Sequence, residues 1–136
     1  MTLAPPAQAL VQSEPRWLLA VRYGTAAVWL FHGLFSKVLG GIPRHEQIVA
    51  RVLGGTLARP ATLFVGVVEI VLGLWIVSRR RPRACAAAQT VLLVSMNVLE
   101  LIFARDLLLA PIAMVSANFV FLGLGWVLAL RAPEGV

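Results

Sequence analysis

The sequence has little charge and almost no cysteine. Of its 136 residues, 13% are charged and 60% are apolar, and Cys85 is the single cysteine. A soluble domain carries about 25% charged residues, so the composition excludes an ordinary soluble globule. One cysteine forms neither an intramolecular disulfide nor a Cys-x-x-Cys redox pair nor a multi-cysteine zinc site. The composition instead predicts one domain whose main solvent is lipid.

Four apolar stretches are long enough to cross a membrane as helices, which takes about 20 residues each. They cover residues 17–39, 60–78, 84–103 and 111–130. Between the first two, residues 43–53 begin with proline, carry Glu46 near the start and Arg51 near the end, and have one apolar face. This pattern predicts a short amphipathic helix in the membrane interface. We therefore predict an all-α fold, an integral membrane bundle of four transmembrane helices.

The remaining segments indicate how the chain is oriented in the membrane. Residues 1–16 lack the basic start of a signal peptide and are interpreted as a cytoplasmic tail, residues 17–131 as a single membrane domain, and residues 132–136 as a second tail. The short link between the second and third spans carries four arginines, Arg79, Arg80, Arg81 and Arg83. The positive-inside rule places this link, and with it both termini, in the cytoplasm. We expect a multi-pass protein of the inner (plasma) membrane, with seven basic residues inside and five outside.

Several polar side chains lie within the predicted spans, where an ionisable group costs about 2.5–3.5 kcal/mol. The candidate polar centre consists of His32, Lys37, Glu69, Asn97 and Glu100. The helical rise places all five in the outer half of the bilayer, in two layers. His32, Glu69 and Asn97 form the deeper layer, and Lys37 and Glu100 lie nearer water.

Helical spacing predicts that these side chains face the bundle interior. On the second span, one face joins a carboxylate to small residues: Thr62, Gly66, Glu69 and Gly73. Small neighbours let another helix approach and cover the carboxylate. On the third span, a continuous stripe carries Gln89, Leu93, Asn97 and Glu100. Asn97 and Gln89, with Asn118 of the fourth span, are expected to form hydrogen bonds between helices.

The roles of the charged candidates remain open at this point. For His32 the preferred interpretation is a core histidine bonded to Glu69, ahead of ligand binding or proton relay. Haem or metal ligation is disfavoured, because the other histidine, His45, lies in the interfacial segment. Lys37 either extends to the interface or pairs with Glu100. Glu69 is the strongest functional candidate.

Other polar residues are assigned to the membrane surface. Trp17, Arg22 and Tyr23 are predicted to anchor the first span in the interface. The polar side of the interfacial helix carries Arg44, His45 and Arg51. The four-arginine link either sets the topology, which is the preferred interpretation, or binds anionic lipid. Cys85 is expected to be structural, because no activating base lies beside it in the sequence.

Three segments together resemble a known family. They are His32-Gly33-Leu34 followed by Lys37, then Gly66-Val67-Val68-Glu69, and a fourth span that starts at Pro111 and contains Asn118. These segments resemble the DoxX-like family of small four-helix bacterial membrane proteins, over residues 29–126. The resemblance implies a four-span inner-membrane protein, and the name-giving members are similar to a small subunit of a thiosulfate:quinone oxidoreductase. If the resemblance extends to the functional residues, it implies that the candidate polar centre is the functional part of this chain.

Three functions remain open. The first is a membrane component of a redox system, which docks a soluble oxidoreductase or binds a quinone. The sequence suggests no cofactor other than a quinone, and it suggests no metal ion. The chain lacks a thiol pair, a flavin-binding fold and a cluster motif, so we expect an oxidoreductase subunit rather than a complete enzyme. The second is a small-solute transporter subunit completed by self-association. The third is a non-catalytic assembly or chaperone-like protein. Nucleic acid is not an expected partner, because the basic residues lie between apolar runs.

Overall fold

The computed structural model describes residues 14–132 of the chain. The helices are α1 (Arg16–Leu30), α2 (Pro43–Leu53), α3 (Gly55–Ser78), α4 (Pro82–Phe103) and α5 (Pro111–Arg131). A π-helical segment, Phe31–Val38, continues α1, and a 3-10 helix, Arg105–Leu107, lies between α4 and α5. Residues 14–132 contain no strand, so the all-α prediction is confirmed. Residues 1–13 and 133–136, which make up most of the two predicted tails, lie outside the described part.

Four helical stretches are long and apolar enough to cross a membrane. They are Arg16–Val38, Gly55–Ser78, Pro82–Phe103 and Pro111–Arg131, with 23, 24, 22 and 21 residues. Each meets the length of about 20 residues that a spanning helix needs. The 11-residue helix α2 is too short to span and packs against α3 and the π-helical segment. The predicted four-helix membrane architecture is therefore confirmed.

Prolines start three helices but not α3. Pro43, Pro82 and Pro111 each occupy the first helical turn, where the missing N–H costs no intrahelical bond. Pro60, in contrast, lies inside α3, which begins at Gly55 rather than at the proline where the predicted span starts. A proline at this position removes one intrahelical hydrogen bond near the start of the helix. The added turn brings the N-terminal end of α3 beside the π-helical segment.

The first and second spanning helices are packed at backbone distance. A Cβ atom added to Gly33 would lie 2.5 Å from the carbonyl oxygen of Gly66, and one added to Gly73 would lie 2.8 Å from Cγ of Leu30. Glycines at these positions let the two helices approach closely, as small residues do in membrane helix pairs. The contact leaves no open passage between the π-helical segment and α3 at Gly33.

The other two spanning helices pack mainly on each other. The buried residues of α4 are Cys85, Ala86, Gln89 and Leu93, and those of α5 are Gly125, Leu128 and Ala129. All seven lie towards the end of the bundle that holds the arginine link. Between residues 94 and 124, Ala104 is the one buried residue. The two helix pairs are therefore joined at one end and less covered at the other, where α2 lies.

Candidate functional site

Lys37 and Glu69 form a buried ion pair between the π-helical segment and α3. Nζ of Lys37 donates a hydrogen bond of 2.9 Å to Oε1 of Glu69 and lies 2.9 Å from Oε2. The two residues are 4% and 2% exposed. Oε2 accepts no hydrogen bond from the described residues, so the carboxylate keeps one accepting position. The pair is neutral overall, which makes its burial tolerable in a medium of low dielectric.

The structure corrects both predicted pairings in this region. No hydrogen bond joins His32 to Glu69 among residues 14–132, so the predicted bond between them was wrong. The ring of His32 instead contacts Phe31 edge-on and lies near the ring of His45, with centroids 5.5 and 5.9 Å apart. Lys37 pairs with Glu69 rather than with Glu100. The π-helical backbone explains both differences, because its i to i+5 bonds change the angle between His32 and Lys37 from that of an α-helix.

An open cavity of about 430 Å³ lies between the π-helical segment, α2 and the start of α3. We call it the α2 pocket. Its lining includes Ser36, Lys37, Glu46, Arg59 and Thr62. The volume lies within the range of about 300–1,000 Å³ that is usual for small-molecule sites. Glycine and alanine residues at positions 40, 50, 55 and 58 also line the cavity, and their small side chains leave space there.

Two residues that line the α2 pocket, Ser36 and Thr62, have hydroxyl groups that differ in whether they already donate a hydrogen bond. Ser36 is 1% exposed, and its Oγ has no hydrogen-bond partner among the described residues. Thr62 is equally buried, but its Oγ1 donates a bond of 2.7 Å to the carbonyl oxygen of Ala58. A buried polar atom without a partner costs about 1–3 kcal/mol, which makes Ser36 the unusual residue of this wall. Ser36 was not among the residues singled out by sequence.

Arg59 joins the three elements around the α2 pocket. Its guanidinium donates to the carbonyl oxygens of Lys37 and Val38, at 2.9 and 2.8 Å, and lies 3.6 Å from the carboxylate of Glu46 on α2. The first two bonds satisfy carbonyl groups at the end of the π-helical segment, which have no intrahelical partner. Arg59 therefore fixes the backbone that carries Lys37.

The α4 candidates lie on the less covered side of the bundle. Asn118 Nδ2 donates a bond of 2.9 Å to Oδ1 of Asn97, which joins α5 to α4 as the sequence indicated. Glu100 is half-buried and forms no hydrogen bond or ion pair with any described residue. Neither Asn97 nor Glu100 lines the α2 pocket. The candidate polar centre is thus divided between two places.

Helix α2 contributes His45 and takes part in two ion pairs. His45 Nδ1 is buried and has no hydrogen-bond partner in the described part of the chain. Burial, followed by the nearby charges of Lys37, His32 and Arg44, lowers the pKa of His45 from 6.5 to about 4. The imidazole is therefore neutral at pH 7. A bidentate bond from Arg51 to Asp106, at 3.0 and 2.9 Å, ties α2 to the 3-10 helix and lowers the pKa of Asp106.

A second polar cluster, missed from the sequence, lies at the opposite end of the bundle. Arg22 was predicted to be an interfacial anchor, but it is 5% exposed and donates to the carboxylate of Glu14 and to the carbonyl oxygen of Ile76. Arg79 also contacts Glu14, at 3.1 Å. The hydrogen bond from Arg22 lowers the pKa of Glu14. Arg22 shares a helical face with Gly33 and Lys37, a spacing that indicated burial.

Two further polar side chains extend this cluster towards the bundle interior. Trp29 Nε1 donates a bond of 2.9 Å to Oε1 of Gln89, and Gln89 Nε2 contacts Sγ of Cys85 at 3.5 Å. A cavity of about 20 Å³ borders Arg22, Cys85 and Gln89, which is room for one water molecule. The cluster therefore joins α1 to α4 by polar contacts and offers no space for a larger ligand.

Comparison with known proteins assigns the family. The sequence model of the DoxX-like family matches residues 26–126, which is most of the chain. The chain belongs to the DoxX-like family. The match includes the π-helical segment, α2 and α3, which form the α2 pocket. No curated protein and no solved structure matches the chain.

Proposed function

We propose that this DoxX-like chain is a membrane subunit of a quinone-linked redox system and that the α2 pocket binds the quinone headgroup. The observation that carries the proposal is the buried hydroxyl of Ser36, which has no partner among the described residues. Ser36 and Lys37 both line the cavity of about 430 Å³. Both groups are hydrogen-bond donors at the wall of a pocket large enough for a ring compound.

A quinone ring fits these donors by its chemistry. Its two carbonyl oxygens accept hydrogen bonds and donate none, so its site must supply donors. The hydroxyl of Ser36 is free to donate, and Lys37 has three N–H groups, of which one is used by Glu69. The proton of Thr62 is already committed to Ala58. Donation to the ligand is therefore assigned to Ser36 and Lys37.

The buried ion pair supports proton transfer at the same place. Reduction of a quinone to a quinol takes two electrons and two protons. In the proposed step, Lys37 passes one proton to a carbonyl oxygen while Glu69 holds the ammonium group in position. Water that enters the open α2 pocket supplies the second proton and reprotonates Lys37. The electrons must come from a partner oxidoreductase, since the sequence contains no flavin-binding fold or cluster motif. Under the predicted orientation, the pocket faces the outer side of the inner membrane.

The two alternative functions have less support. A transporter needs access from both sides, whereas Gly33 and Gly66 are in backbone contact between the α2 pocket and the arginine end. A purely structural role would leave the unpartnered hydroxyl of Ser36 and the cavity beside it unexplained. Self-association remains compatible with quinone binding.

Binding of a short-chain quinone to the purified protein tests the proposal. The titrant is an oxidised benzoquinone or naphthoquinone with one isoprenoid unit, and binding is followed by tryptophan quenching or calorimetry. Ser36→Ala removes the free donor, so we expect affinity to fall about fivefold, as for one hydrogen bond of about 1 kcal/mol. Thr62→Val is the matched control, because it removes a hydroxyl that cannot donate to the ligand, and affinity should stay within about twofold.

The outcomes are distinct. Loss of affinity in Ser36→Ala but not in Thr62→Val supports the proposed site. Equal affinities in wild type and both variants place any quinone elsewhere, and no binding to folded wild-type protein refutes the function. Circular dichroism of each variant establishes that it is folded.

A further inference from the structure

The charges of the bundle are segregated between its two ends. The end that contains the arginine link carries seven basic residues and one acid among those described: Arg16, Arg22, Arg79, Arg80, Arg81, Arg83, Arg131 and Glu14. We call this set the basic rim. The other end carries five basic and four acidic residues: Lys37, Arg44, Arg51, Arg59, Arg105, Glu46, Glu69, Glu100 and Asp106. The positive charge of the described chain is thus concentrated at one end.

The two ends also differ in how their charges are paired. At the α2 end, Lys37, Arg51 and Arg59 each have an acidic partner within 4 Å. At the basic rim, the single acid is shared: Glu14 contacts both Arg22 and Arg79. Arg80 and Arg81 form no ion pair with any residue that the structure describes. Within the basic rim, Arg80 and Arg81 therefore present guanidinium groups without an acidic partner among the described residues.

The link between α3 and α4 holds these groups at the level of the membrane surface. It has three residues, and Arg79 and Arg81 adopt left-handed backbone angles, with φ of 61° and 44°. Trp75 Nε1 donates a bond of 2.7 Å to the carbonyl oxygen of Arg80, which fixes the turn against α3. A link this short cannot extend far from the ends of two spanning helices.

Aromatic side chains mark the same level. Trp17 and Tyr23 are about half exposed, at 50% and 53%, near the start of α1. The guanidinium of Arg131 lies over the ring of Trp17, with 5.7 Å to the centroid. Tryptophan and tyrosine collect at the headgroup region of membranes. These aromatic side chains indicate that the basic rim lies at the level of the lipid phosphates.

We propose that the basic rim is a binding site for anionic phospholipid headgroups, with Arg80 and Arg81 as the principal contacts. Guanidinium groups bind phosphate through paired, charge-assisted hydrogen bonds. A basic side chain near an anionic surface adds attraction equivalent to about fivefold in affinity. The inference is independent of the quinone proposal, since it concerns the opposite end of the bundle.

The test uses protein in uncharged detergent micelles, where orientation in a bilayer has no effect. Short-chain phosphatidylglycerol is titrated against short-chain phosphatidylcholine, and thermal unfolding is followed by circular dichroism. We expect phosphatidylglycerol to raise Tm by about 3–5 °C at saturation, less at high salt, and phosphatidylcholine to leave it unchanged. Equal shifts with the two lipids would overturn the proposal.

Charge-matched variants locate the site. Arg80→Gln with Arg81→Gln should weaken the response to phosphatidylglycerol by about tenfold or more in midpoint concentration. The control, Arg44→Gln with Arg105→Gln, removes the same charge at the α2 end and should leave the midpoint unchanged. Equal weakening by both double variants would assign the effect to net charge and overturn the site. A shift of the same size with inorganic phosphate alone would overturn the lipid as the ligand.

Discussion

Lys37 and Glu69 neutralise each other inside the bundle, so the ammonium group of Lys37 at the wall of the α2 pocket has its counter-charge behind it. Their burial could be expected from sequence, because the spacing of Gly66, Glu69 and Gly73 predicted an inward face, and all three are buried. The pairing of Lys37 with Glu69 could not be predicted from the sequence. The sequence interpretation assumed 3.6 residues per turn, and the π-helical segment breaks that period between His32 and Lys37.

The buried pair makes a prediction about stability. Glu69→Gln leaves the Lys37 ammonium buried without a counter-charge, and we expect the free energy of unfolding to fall by about 3–5 kcal/mol. Lys37→Met should have a similar effect. The double variant Lys37→Met with Glu69→Leu removes both charges and should recover much of the loss. Denaturant unfolding in mixed micelles measures all three, and a double variant no more stable than the singles would contradict a direct pair.

His45 makes a prediction about pH. Its pKa is about 4 in the folded protein and near 6.5 when unfolded, so between these values the unfolded chain takes up a proton that the folded chain does not. Folding stability should therefore decrease as pH falls from 7 to 5. Glu14, whose pKa is lowered, loses its contribution only below its ordinary value of 4.5 and stays out of this range.

His45→Gln is the variant that isolates this effect. Glutamine does not titrate, so the difference in Tm between pH 7 and pH 5 should be smaller than in the wild type. Scanning calorimetry in detergent gives both values. An unchanged difference would assign the pH dependence to other groups.

At the scale of the elements, the close contact between α1 and α3 separates the two polar regions of the molecule. Small residues on the α3 face predicted such an approach, and the glycine positions agree with it. The burial of Arg22 was missed, because its position near the start of α1 favoured an interfacial anchor. Its counter-charge, Glu14, lies outside the predicted span, and a contact between a span and a preceding segment has no periodicity in the sequence.

Glycine substitutions test that contact. Gly33→Ala places a Cβ atom 2.5 Å from the carbonyl oxygen of Gly66, so the helices must separate, and we expect a loss of about 1–3 kcal/mol. Gly123→Ala on α5 is the matched control, because a Cβ there meets nothing within 4 Å and alanine favours a helix. Thermal unfolding of the two variants should differ in sign. A stable Gly33→Ala would contradict backbone contact between the helices.

At the scale of the whole molecule, the bundle has one well-joined end with the basic rim and one more open end with the α2 pocket. The number of spanning helices could be predicted, because each needs only a local apolar run. The α2 pocket could not, because it depends on how the π-helical segment, α2 and the early start of α3 meet. Ser36 became a candidate only because its hydroxyl has no partner among residues 14–132.

The measurement that tests the central claim most directly is photoaffinity mapping of the quinone site. A short-chain quinone that carries a diazirine is crosslinked to the protein in micelles, and the labelled peptides are identified by mass spectrometry. The account predicts labelling confined to residues 36–62, around the α2 pocket, and displaced by excess unlabelled quinone. Displaceable labelling on α4 or α5 instead would contradict it.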